Sequence, residues 1–294
     1  MAVVLATGFF DGVHTGHRLV IRELVRSANE RGVESVVVTF WPHPRNVLQD
    51  DARNLRLLTS LEEKKLLLSA LGVDWIEVLT FSRDFSQHTT AEYLRDIVRG
   101  RFGASAIVLG YDNRIGNDNL STLETAAIAR SLGMEVIHVP RGLDVSSTKI
   151  RTALSEGRVE DANAMLGYSY SLHGVVVAGN RLGRTIGFPT ANMQLYEPLK
   201  LIPCDGVYAV EVETLGKRFK GMCNIGVRPT VSSGEYRTVE THIFDFEEDI
   251  YGLDIRLSFI RKIRDERPFP SLEALRHQLL LDKQEILTSN TVLI

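Results

Sequence analysis

The chain has 294 residues, of which 44% are hydrophobic and 24% charged, with a formal net charge of −3. This length suffices for two globular domains, and the charge gives no basic excess of the kind that binds nucleic acid. The apolar runs are too short for a membrane span or a signal peptide, and the spacing of Cys204 and Cys223 fits neither a zinc motif nor a disulfide framework. The composition therefore predicts a cytoplasmic protein with two reduced thiols and no membrane or nucleic-acid partner.

In the first half, short continuous apolar runs alternate with helical segments. Continuous runs are typical of strands buried on both faces. The strand–helix alternation predicts a Rossmann-like α/β domain, with a parallel, doubly wound sheet whose ligands bind at the carboxyl ends of the strands. Capping-box patterns predict helix starts at Ser60, Thr89 and Ser121. The predicted strands are Val3–Ala6, Ser35–Phe40, Trp75–Leu79, Ala106–Leu109 and Glu135–Val139.

The second half is rich in strands and turns. Two short helices, Ser147–Leu154 and Val159–Leu166, are predicted to close the first domain, and a last helix is predicted over Ser271–Thr288. Many strands with one terminal helix predict an antiparallel β-barrel with that helix packed on it. The predicted strands are Ser171–Ala178, Val207–Glu213, Phe219–Ile225, Thr238–Phe244 and Ile255–Ile260. The predicted division of the chain is 1–158 for the first domain, 159–167 for a linker and 168–294 for the second domain.

A glycine-rich turn, Gly8–His17, follows the first predicted strand and runs into a helix. Such a turn presents free backbone N–H groups and the positive end of a helix dipole, which together bind phosphate. His14 and His17 can donate to phosphate oxygens. A tight turn with two surface histidines is the alternative, but the three glycines between strand and helix favour a phosphate site.

A second polar cluster, Ser146–Thr148 with Arg151, follows the last strand of the first domain and opens another helix. Its hydroxyls and its forked guanidinium suit phosphate. By itself the cluster is an ordinary helix start. At the carboxyl edge of the same sheet it can face the histidine turn.

The motifs His14-x-Gly-His17 and Ser146-Ser-Thr-x-x-Arg151 together resemble the nucleotidyltransferase superfamily. The longer strings Phe10–His17 and Thr39–Pro44 resemble the FMN adenylyltransferase domain of bacterial bifunctional riboflavin kinase/FAD synthetases. The resemblance implies that the phosphate of FMN attacks the α-phosphorus of ATP, with catalysis by positioning and electrostatics. It assigns to ATP the residues Gly8, Phe10, Asp11, His14, Gly16, His17, Gly110, Ser147, Thr148 and Arg151, with His14, His17 and Arg151 catalytic. It assigns to the flavin the residues Phe40, Pro42, His43 and Asp112.

One loop departs from this family's pattern. Gly110, Asp112 and Arg114 match the loop after the fourth strand, but the family pattern has an aromatic residue at the Ile115 position and basic residues after the second glycine. In this sequence the corresponding segment, Asn117–Asn119, is uncharged or acidic. The departure predicts an adjusted loop and leaves open an adenylyl transfer weaker than is typical.

The segment Gly183–Asn192 carries a second candidate phosphate site. Gly183 and Gly187 can form a phosphate-covering loop, with Arg184 nearby. Thr190 and Asn192 offer hard oxygen ligands, and Mg²⁺ uses few protein ligands beside ATP phosphates and water. A ligand-free barrel turn is the alternative; the Pro-Thr-Ala-Asn string favours the magnesium site.

Glu240 is a carboxylate on an otherwise apolar predicted strand. If it lies near the Pro-Thr-Ala-Asn string, it is placed to accept a proton from a substrate hydroxyl. The two features together resemble the riboflavin kinase domain, a β-barrel, and imply that Glu240 deprotonates the 5′-hydroxyl of riboflavin for attack on the γ-phosphorus of Mg-ATP. The resemblance extends to Arg261–Phe269 and implies flavin contacts for Arg264 and Phe269; a charged surface linker is the other interpretation of this segment.

The resemblance covers nearly the whole chain, in the family's own order. It implies an enzyme that makes FMN and then FAD, with ATP as co-substrate, Mg²⁺ as cofactor, riboflavin and FMN as the other small-molecule partners, and a monomer or weak oligomer. One alternative is a riboflavin kinase that has lost adenylyl transfer, which only the altered loop supports. A flavin- or nucleotide-sensing regulator has no need of a base beside a magnesium site. A nucleotidyltransferase acting on a lipid or sugar precursor leaves the second half unexplained.

Overall fold

The computed structural model describes residues 2–48, 55–111, 113–142, 144–179, 182–229 and 235–289. The chain forms two compact units, Met1–Ser147 and Thr148–Ile294. The division therefore falls before the two short helices that the sequence assigns to the end of the first domain. Both helices are tied to the second unit: Cys204 N donates to Leu154 O at 3.0 Å, and Asn163 Nδ2 donates to Phe259 O at 2.8 Å. Within the described ranges, no helix is long and apolar enough to cross a membrane.

The first unit contains a five-stranded parallel sheet in the order β3-β2-β1-β4-β5. After β3 the chain crosses to the far side of β1, so the direction of winding changes between β1 and β4; ligands of open α/β sheets bind at such a switch point. Each predicted strand is confirmed within two residues at either end. The strands are β1 (Val3–Thr7), β2 (Glu34–Trp41), β3 (Trp75–Thr80), β4 (Ala104–Gly110) and β5 (Glu135–Val139).

Helices cover both faces of this sheet. The predicted capping boxes at Ser60, Thr89 and Ser121 are all present, each with reciprocal side-chain and backbone hydrogen bonds. A π-helix, Tyr93–Arg101, continues α4, and a 3₁₀ turn covers Phe85–Gln87. The α-helices are α1 (Thr15–Arg31), α2 (Pro44–Leu48), α3 (Leu61–Ser69), α4 (Thr90–Glu92) and α5 (Thr122–Ser131).

Alternate residues of β1 pack into two different hydrophobic cores. Leu5 packs with Leu94 on one face, and Val4 packs with Leu24 of α1 on the other. Successive side chains of a strand point to opposite faces, so a strand covered on both sides needs apolar residues at every position. Two-sided burial is thus the reason for the continuous apolar runs in the sequence.

The second unit starts with two helices and continues as a closed antiparallel barrel in the order β10-β7-β6-β11-β8-β9. The helices are α6 (Ser147–Ser155), α7 (Val159–Leu166), α8 (Leu182–Thr185) and α9 (Leu272–Thr288). The strands are β6 (Ser171–Val177), β7 (Ala191–Leu195), β8 (Gly206–Thr214), β9 (Lys217–Pro229), β10 (Glu235–Ile243) and β11 (Asp254–Arg264). The strand β7 was not predicted, because only its pairing with β6 and β10 makes a strand of its mixed polar sequence.

The terminal helix α9 packs against the barrel, as predicted, with Ser271 as its N-cap. Its Leu279 and Ile286 join an apolar cluster that contains Phe188 and Met222 of the barrel. Successive side chains of a strand point to opposite faces. One face of a barrel strand therefore points into the barrel, and the other points outward, where α9 packs. The side that faces α9 carries the second candidate site.

Candidate functional sites

The turn after β1 has a strained backbone. Phe10 has a φ of 49° and Val13 a φ of 37°, with Gly12 at 81° between them. Positive φ is unfavourable for side chains with a Cβ, above all for a β-branched valine, and costs about 1–3 kcal/mol per residue. Both side chains are buried, so packing holds the strained conformation. Strain concentrated at the switch point of the sheet marks this turn as a candidate site.

The Asp11 carboxylate anchors the turn to the segment before α3. It accepts hydrogen bonds from Leu58 N at 3.1 Å and from Thr59 N at 3.1 Å. The Thr59 hydroxyl in turn accepts from Gly12 N at 3.1 Å. The structure therefore gives Asp11 a role in shaping the turn, and its contact with ATP remains a prediction.

The two histidines lie together at the start of α1. His14 caps the helix, its Nδ1 accepting from His17 N at 3.3 Å, and the two rings stack with centroids 3.6 Å apart. An accepting Nδ1 places the proton of the neutral His14 ring on Nε2. Burial, together with the nearby charge of Lys64, holds the pKa of His17 well below its usual value, so His17 is neutral at pH 7. A Cβ at Gly16 would lie 3.2 Å from the His14 ring, so a side chain there would require the ring to shift.

Lys64 is a buried cation that the sequence did not indicate. It is 3% exposed, and its Nζ donates to Thr39 Oγ1 at 3.3 Å. Burial lowers the pKa of Lys64 to about 8, and the charge of Asp11 opposes part of this effect. In the sequence it is one of two adjacent lysines, and only the orientation of α3 buries Lys64 while leaving Lys65 at the surface.

An aromatic cluster lies at the carboxyl end of β2, where the resemblance puts the flavin. The ring of Phe9 lies 5.2 Å from that of Phe40 and 4.8 Å from that of His43. Phe81 and Phe85, which the sequence did not indicate, extend the cluster. Pro42, after a cis Trp41–Pro42 bond, directly precedes His43. The other predicted flavin contact, Asp112, lies outside the described residues.

The loop that departs from the family pattern is docked against the start of α4. The Asp118 carboxylate accepts from Thr90 N at 3.0 Å and from Thr90 Oγ1 at 2.6 Å, and Asn117 N donates to His88 O at 3.0 Å. Ile115 is buried in the core. An acidic group is favourable at a helix N-terminus, so the residues that break the family pattern stabilise the loop.

The remaining predicted contacts of the first site lie at two places in the chain. Gly110 ends β4. Ser147 Oγ donates to Asp11 O at 3.0 Å, which brings Ser147 to the turn. Thr148 and Arg151 follow in α6 and belong to the second compact unit, and their contacts with the ATP phosphates remain predictions.

Strand register brings the second set of predicted residues together on the barrel. Glu240 of β10 lies directly opposite Asn192 of β7 and, on its other side, opposite Asn224 of β9. Residues directly opposite each other share a face of the sheet. Thr190 Oγ1 donates to Glu240 Oε2 at 3.3 Å. The structure thus brings the predicted base beside the predicted magnesium ligands and adds Asn224, which the sequence did not single out as a site residue.

A cavity of about 630 Å³ opens beside Glu240, between the barrel and α9. Arg264 at the end of β11 lines it and forms an ion pair with the buried Asp282 of α9, with Nη2 and Oδ2 2.9 Å apart. The guanidinium groups of Arg264 and Arg267 lie 5.4 and 5.3 Å from the ring centre of Phe269, which also lines the cavity. Arg264 therefore ties the helix to the barrel and holds Phe269, and its contact with a flavin remains a prediction.

His242 holds the segment before Thr190 in place. It lies two residues after Glu240 and lines the same cavity, and its Nδ1 donates to Pro189 O at 2.8 Å. At Gly183 a side chain would collide with Phe188 O, and Gly187 has a φ of 81°. Both predicted glycines are thus needed by the backbone of this segment.

The donors beside Glu240 fit magnesium better than a transition metal. A hydroxyl, an amide and a carboxylate, on Thr190, Asn192 and Glu240, are hard oxygen ligands. Among the described residues, no group of three or more histidine, cysteine or acidic side chains is placed to hold a metal ion. A site of this kind depends on substrate phosphates to complete the coordination of the ion.

These two units define a fused enzyme, with a nucleotidyltransferase-type α/β domain before a barrel that carries a phosphotransfer site. The FAD synthetase family model matches residues 1–153, and the riboflavin kinase family model matches residues 166–289. The "Bifunctional riboflavin kinase/FMN adenylyltransferase" of Bacillus subtilis is 37% identical over 96% of this chain and 90% of its own length, and that of Escherichia coli K12 is 35% identical over 95% and 90%. A crystal structure titled "Macrolide-efflux Protein from Streptococcus pneumoniae" superimposes with a TM-score of 0.91 at 33% identity, covering 98% of this chain and 95% of that one. The chain belongs to the bifunctional riboflavin kinase/FMN adenylyltransferase family.

Proposed function

We propose that this chain phosphorylates riboflavin to FMN in the barrel and adenylylates FMN to FAD in the α/β unit. The first reaction consumes ATP and releases ADP, and the second consumes ATP and releases pyrophosphate. The observation that carries the proposal is the contact between Thr190 Oγ1 and Glu240 Oε2, because it supports a pairing of a carboxylate base with a metal-binding hydroxyl next to a cavity large enough for a flavin. Membership of a family whose relatives carry both activities in their names supports the pairing of the two reactions.

In the kinase reaction, Glu240 accepts the proton of the 5′-hydroxyl of riboflavin. The oxygen then attacks the γ-phosphorus of ATP, and ADP leaves. The cavity beside Glu240 is lined by apolar side chains and by Phe269, a surface suited to a planar ring system. Residues of α9 line one side of this cavity.

Thr190 and Asn192 would hold Mg²⁺ in this site. The bound ion supplies charge neutralisation on the ATP phosphates. His242 fixes Pro189, and Pro189 precedes Thr190, so the hydroxyl of Thr190 is held within hydrogen-bond distance of Glu240, where it would be one of the ligands of the ion.

In the adenylyl transfer, the phosphate of FMN is the nucleophile and needs no base. The residues of the first site therefore have to position two anions and stabilise the charge that moves to pyrophosphate. The backbone N–H groups at the start of α1 and the Nε2–H of His14 are donors for this purpose. Neutral His17 stacked on His14 keeps the pair in one orientation.

A riboflavin kinase without adenylyl transfer is the alternative, and the altered loop is what favours it. In the structure the loop is docked through Asp118 and Ile115, and its acidic residue accepts from the start of α4. The absence of basic residues in this loop is therefore explained by the way the loop is docked, without a loss of adenylyl transfer. We expect adenylyl transfer to be retained.

Incubation with riboflavin and Mg-ATP, followed by chromatographic separation of the flavins, tests both reactions. We expect FMN to appear first and FAD to follow. Absence of FMN would exclude the kinase, and FMN without FAD would support the monofunctional alternative.

Two variants test the independence of the sites. Glu240→Gln should abolish formation of FMN and leave FAD formation from supplied FMN unchanged. His17→Ala should slow FAD formation while FMN accumulates. A variant that loses both reactions, while remaining folded by circular dichroism, would contradict the assignment of one reaction to each unit.

A further inference from the structure

Lys64 carries a buried positive charge that forms no ion pair with an acidic side chain in the described part of the chain. Its hydrogen bond to Thr39 uses one of three N–H groups, and the acceptor is an uncharged hydroxyl. The charge of Asp11 offsets part of the effect of burial on the pKa of Lys64, but its carboxylate accepts from Leu58 N and Thr59 N, whereas Lys64 Nζ donates to Thr39. Burial of an ammonium without a paired anion is unfavourable, so a lysine kept there indicates an anion that arrives with a ligand.

The position of Lys64 is at the first candidate site. Thr39 is near the carboxyl end of β2, and its Oγ1 donates to Phe9 O at 3.2 Å, so the Lys64 ammonium lies beside the turn that follows β1. The charge of Lys64 also acts on His17. Lys64 of α3 is thus a cation at the carboxyl ends of the strands, where ligands of α/β proteins bind.

A second unsatisfied group lies within electrostatic range of this cation. Nδ1 of His17 is buried and has no hydrogen-bond partner among the described residues. A buried nitrogen without a partner is rare in a folded protein and marks a place where a ligand completes the hydrogen bonding. An ammonium with unused donors and an unpaired imidazole nitrogen, both beside a helix N-terminus, form a site for a phosphate group.

We propose that Lys64 binds a phosphate group of the adenylyl-transfer substrates and stabilises the negative charge on it during the reaction. This inference rests on the proposed adenylyltransferase function for the identity of the substrates. Lys64 lies outside both phosphate motifs of the sequence, and it provides the first site with a cation from a third element, α3. The phosphate belongs either to ATP, and so to the pyrophosphate that leaves, or to FMN.

The test uses the full-length chain with Lys64→Met, Lys64→Gln and Lys64→Arg, and with Lys65→Met as the matched control. Lys65 is the next residue, lies at the surface and pairs with Glu62 at 2.9 Å. Binding of pyrophosphate is measured by calorimetry, since pyrophosphate is a product of the adenylyl transfer alone. FAD formation from supplied FMN gives kcat and the KM values for ATP and FMN, and FMN formation from riboflavin reports on the barrel of the same molecules.

We expect Lys64→Met and Lys64→Gln to lower kcat/KM for FAD formation about tenfold or more, the loss of one charge-assisted hydrogen bond. Lys64→Arg should recover part of the activity, and Lys65→Met should behave as the parent chain. A weaker affinity for pyrophosphate with a raised KM for ATP identifies the ATP phosphates, whereas a raised KM for FMN with unchanged pyrophosphate affinity identifies the FMN phosphate. FMN formation should stay unchanged in all four variants.

Unchanged pyrophosphate affinity together with unchanged kinetics in folded Lys64→Met would overturn the proposal. Parent-like FAD formation by Lys64→Gln would also overturn it. Glutamine keeps a donor for Thr39 but has no charge, so that result would indicate a structural role for Lys64. If the parent chain binds pyrophosphate but makes no FAD, the proposed function fails, and loss of that binding in Lys64→Met still supports the phosphate site. Should Lys64→Met not fold, Lys64→Gln and Lys64→Arg decide the question.

Discussion

Replacement of Lys64 by methionine should stabilise the first unit at pH 7. Burial places the pKa of Lys64 at about 8, against an ordinary value of 10.5. This difference corresponds to about 3 kcal/mol of unfavourable free energy for the charged side chain in the folded state. Loss of the hydrogen bond to Thr39 removes about 1 kcal/mol of stability, so the net gain at pH 7 is about 2 kcal/mol. Methionine has nearly the same shape and keeps the packing of the side chain.

The gain in stability from Lys64→Met should decrease as the pH rises. Between pH 8 and pH 10.5 the unfolded chain keeps the proton on Lys64 while the folded chain has lost it, so the stability of the parent protein rises with pH in this window. The advantage of Lys64→Met should therefore be largest below pH 8 and should be small near pH 10. A change in any surface lysine would give no such trend.

Urea unfolding monitored by tryptophan fluorescence measures this effect. The chain has two tryptophans, Trp41 and Trp75, and both lie in the first unit, so the signal reports on that unit alone. Lys65→Met is again the control and should change stability little, since an exposed ion pair contributes about 0–1 kcal/mol. A Lys64→Met variant that is less stable than the parent at pH 7, or equally more stable at pH 7 and pH 9.5, would refute the reasoning.

Other contacts lead to further expected outcomes. Asp118→Ala removes the hydrogen bonds that Thr90, the first residue of α4, donates to the loop, and we expect a loss of about 1 kcal/mol in the urea assay and slower FAD formation with FMN formation unchanged; unchanged stability would contradict the role of Asp118 in docking the loop. His242→Leu removes the hydrogen bond to Pro189 and should raise the KM for ATP in FMN formation, while His242→Asn, with a donor near the same position, should do so less; equal effects would contradict the positioning role. Thr190→Val keeps the shape but not the hydroxyl, and it should raise the Mg²⁺ concentration needed for half-maximal FMN formation; an unchanged Mg²⁺ requirement would exclude Thr190 as a ligand.

The sequence predicted the elements that local interactions determine. Continuous apolar runs predicted the five strands of the sheet, because the central strands are covered on both faces and so are mostly apolar. The capping boxes predicted helix starts, because donor and acceptor lie three residues apart in the chain. Each candidate site was predicted from a short motif. The first motif is the glycine-rich turn with His14 and His17, and the second is the string that contains Thr190 and Asn192. The altered loop also stood out, but its sequence gave no indication of what it contacts.

Tertiary structure alone decided which distant residues meet. Asn224 joins Glu240 because strand register sets them opposite each other, and register depends on pairings between segments far apart in the chain. Asp118 accepts from the start of α4 because the loop folds back on Thr90, 28 residues earlier. Lys64 and Lys65 are identical in sequence terms, and only the packing of α3 against the sheet buries one of them. The sequence by itself determined the motifs that are predicted to bind phosphate, whereas the fold determined which charges lie buried beside them, because burial and charge pairing are properties of packed surfaces.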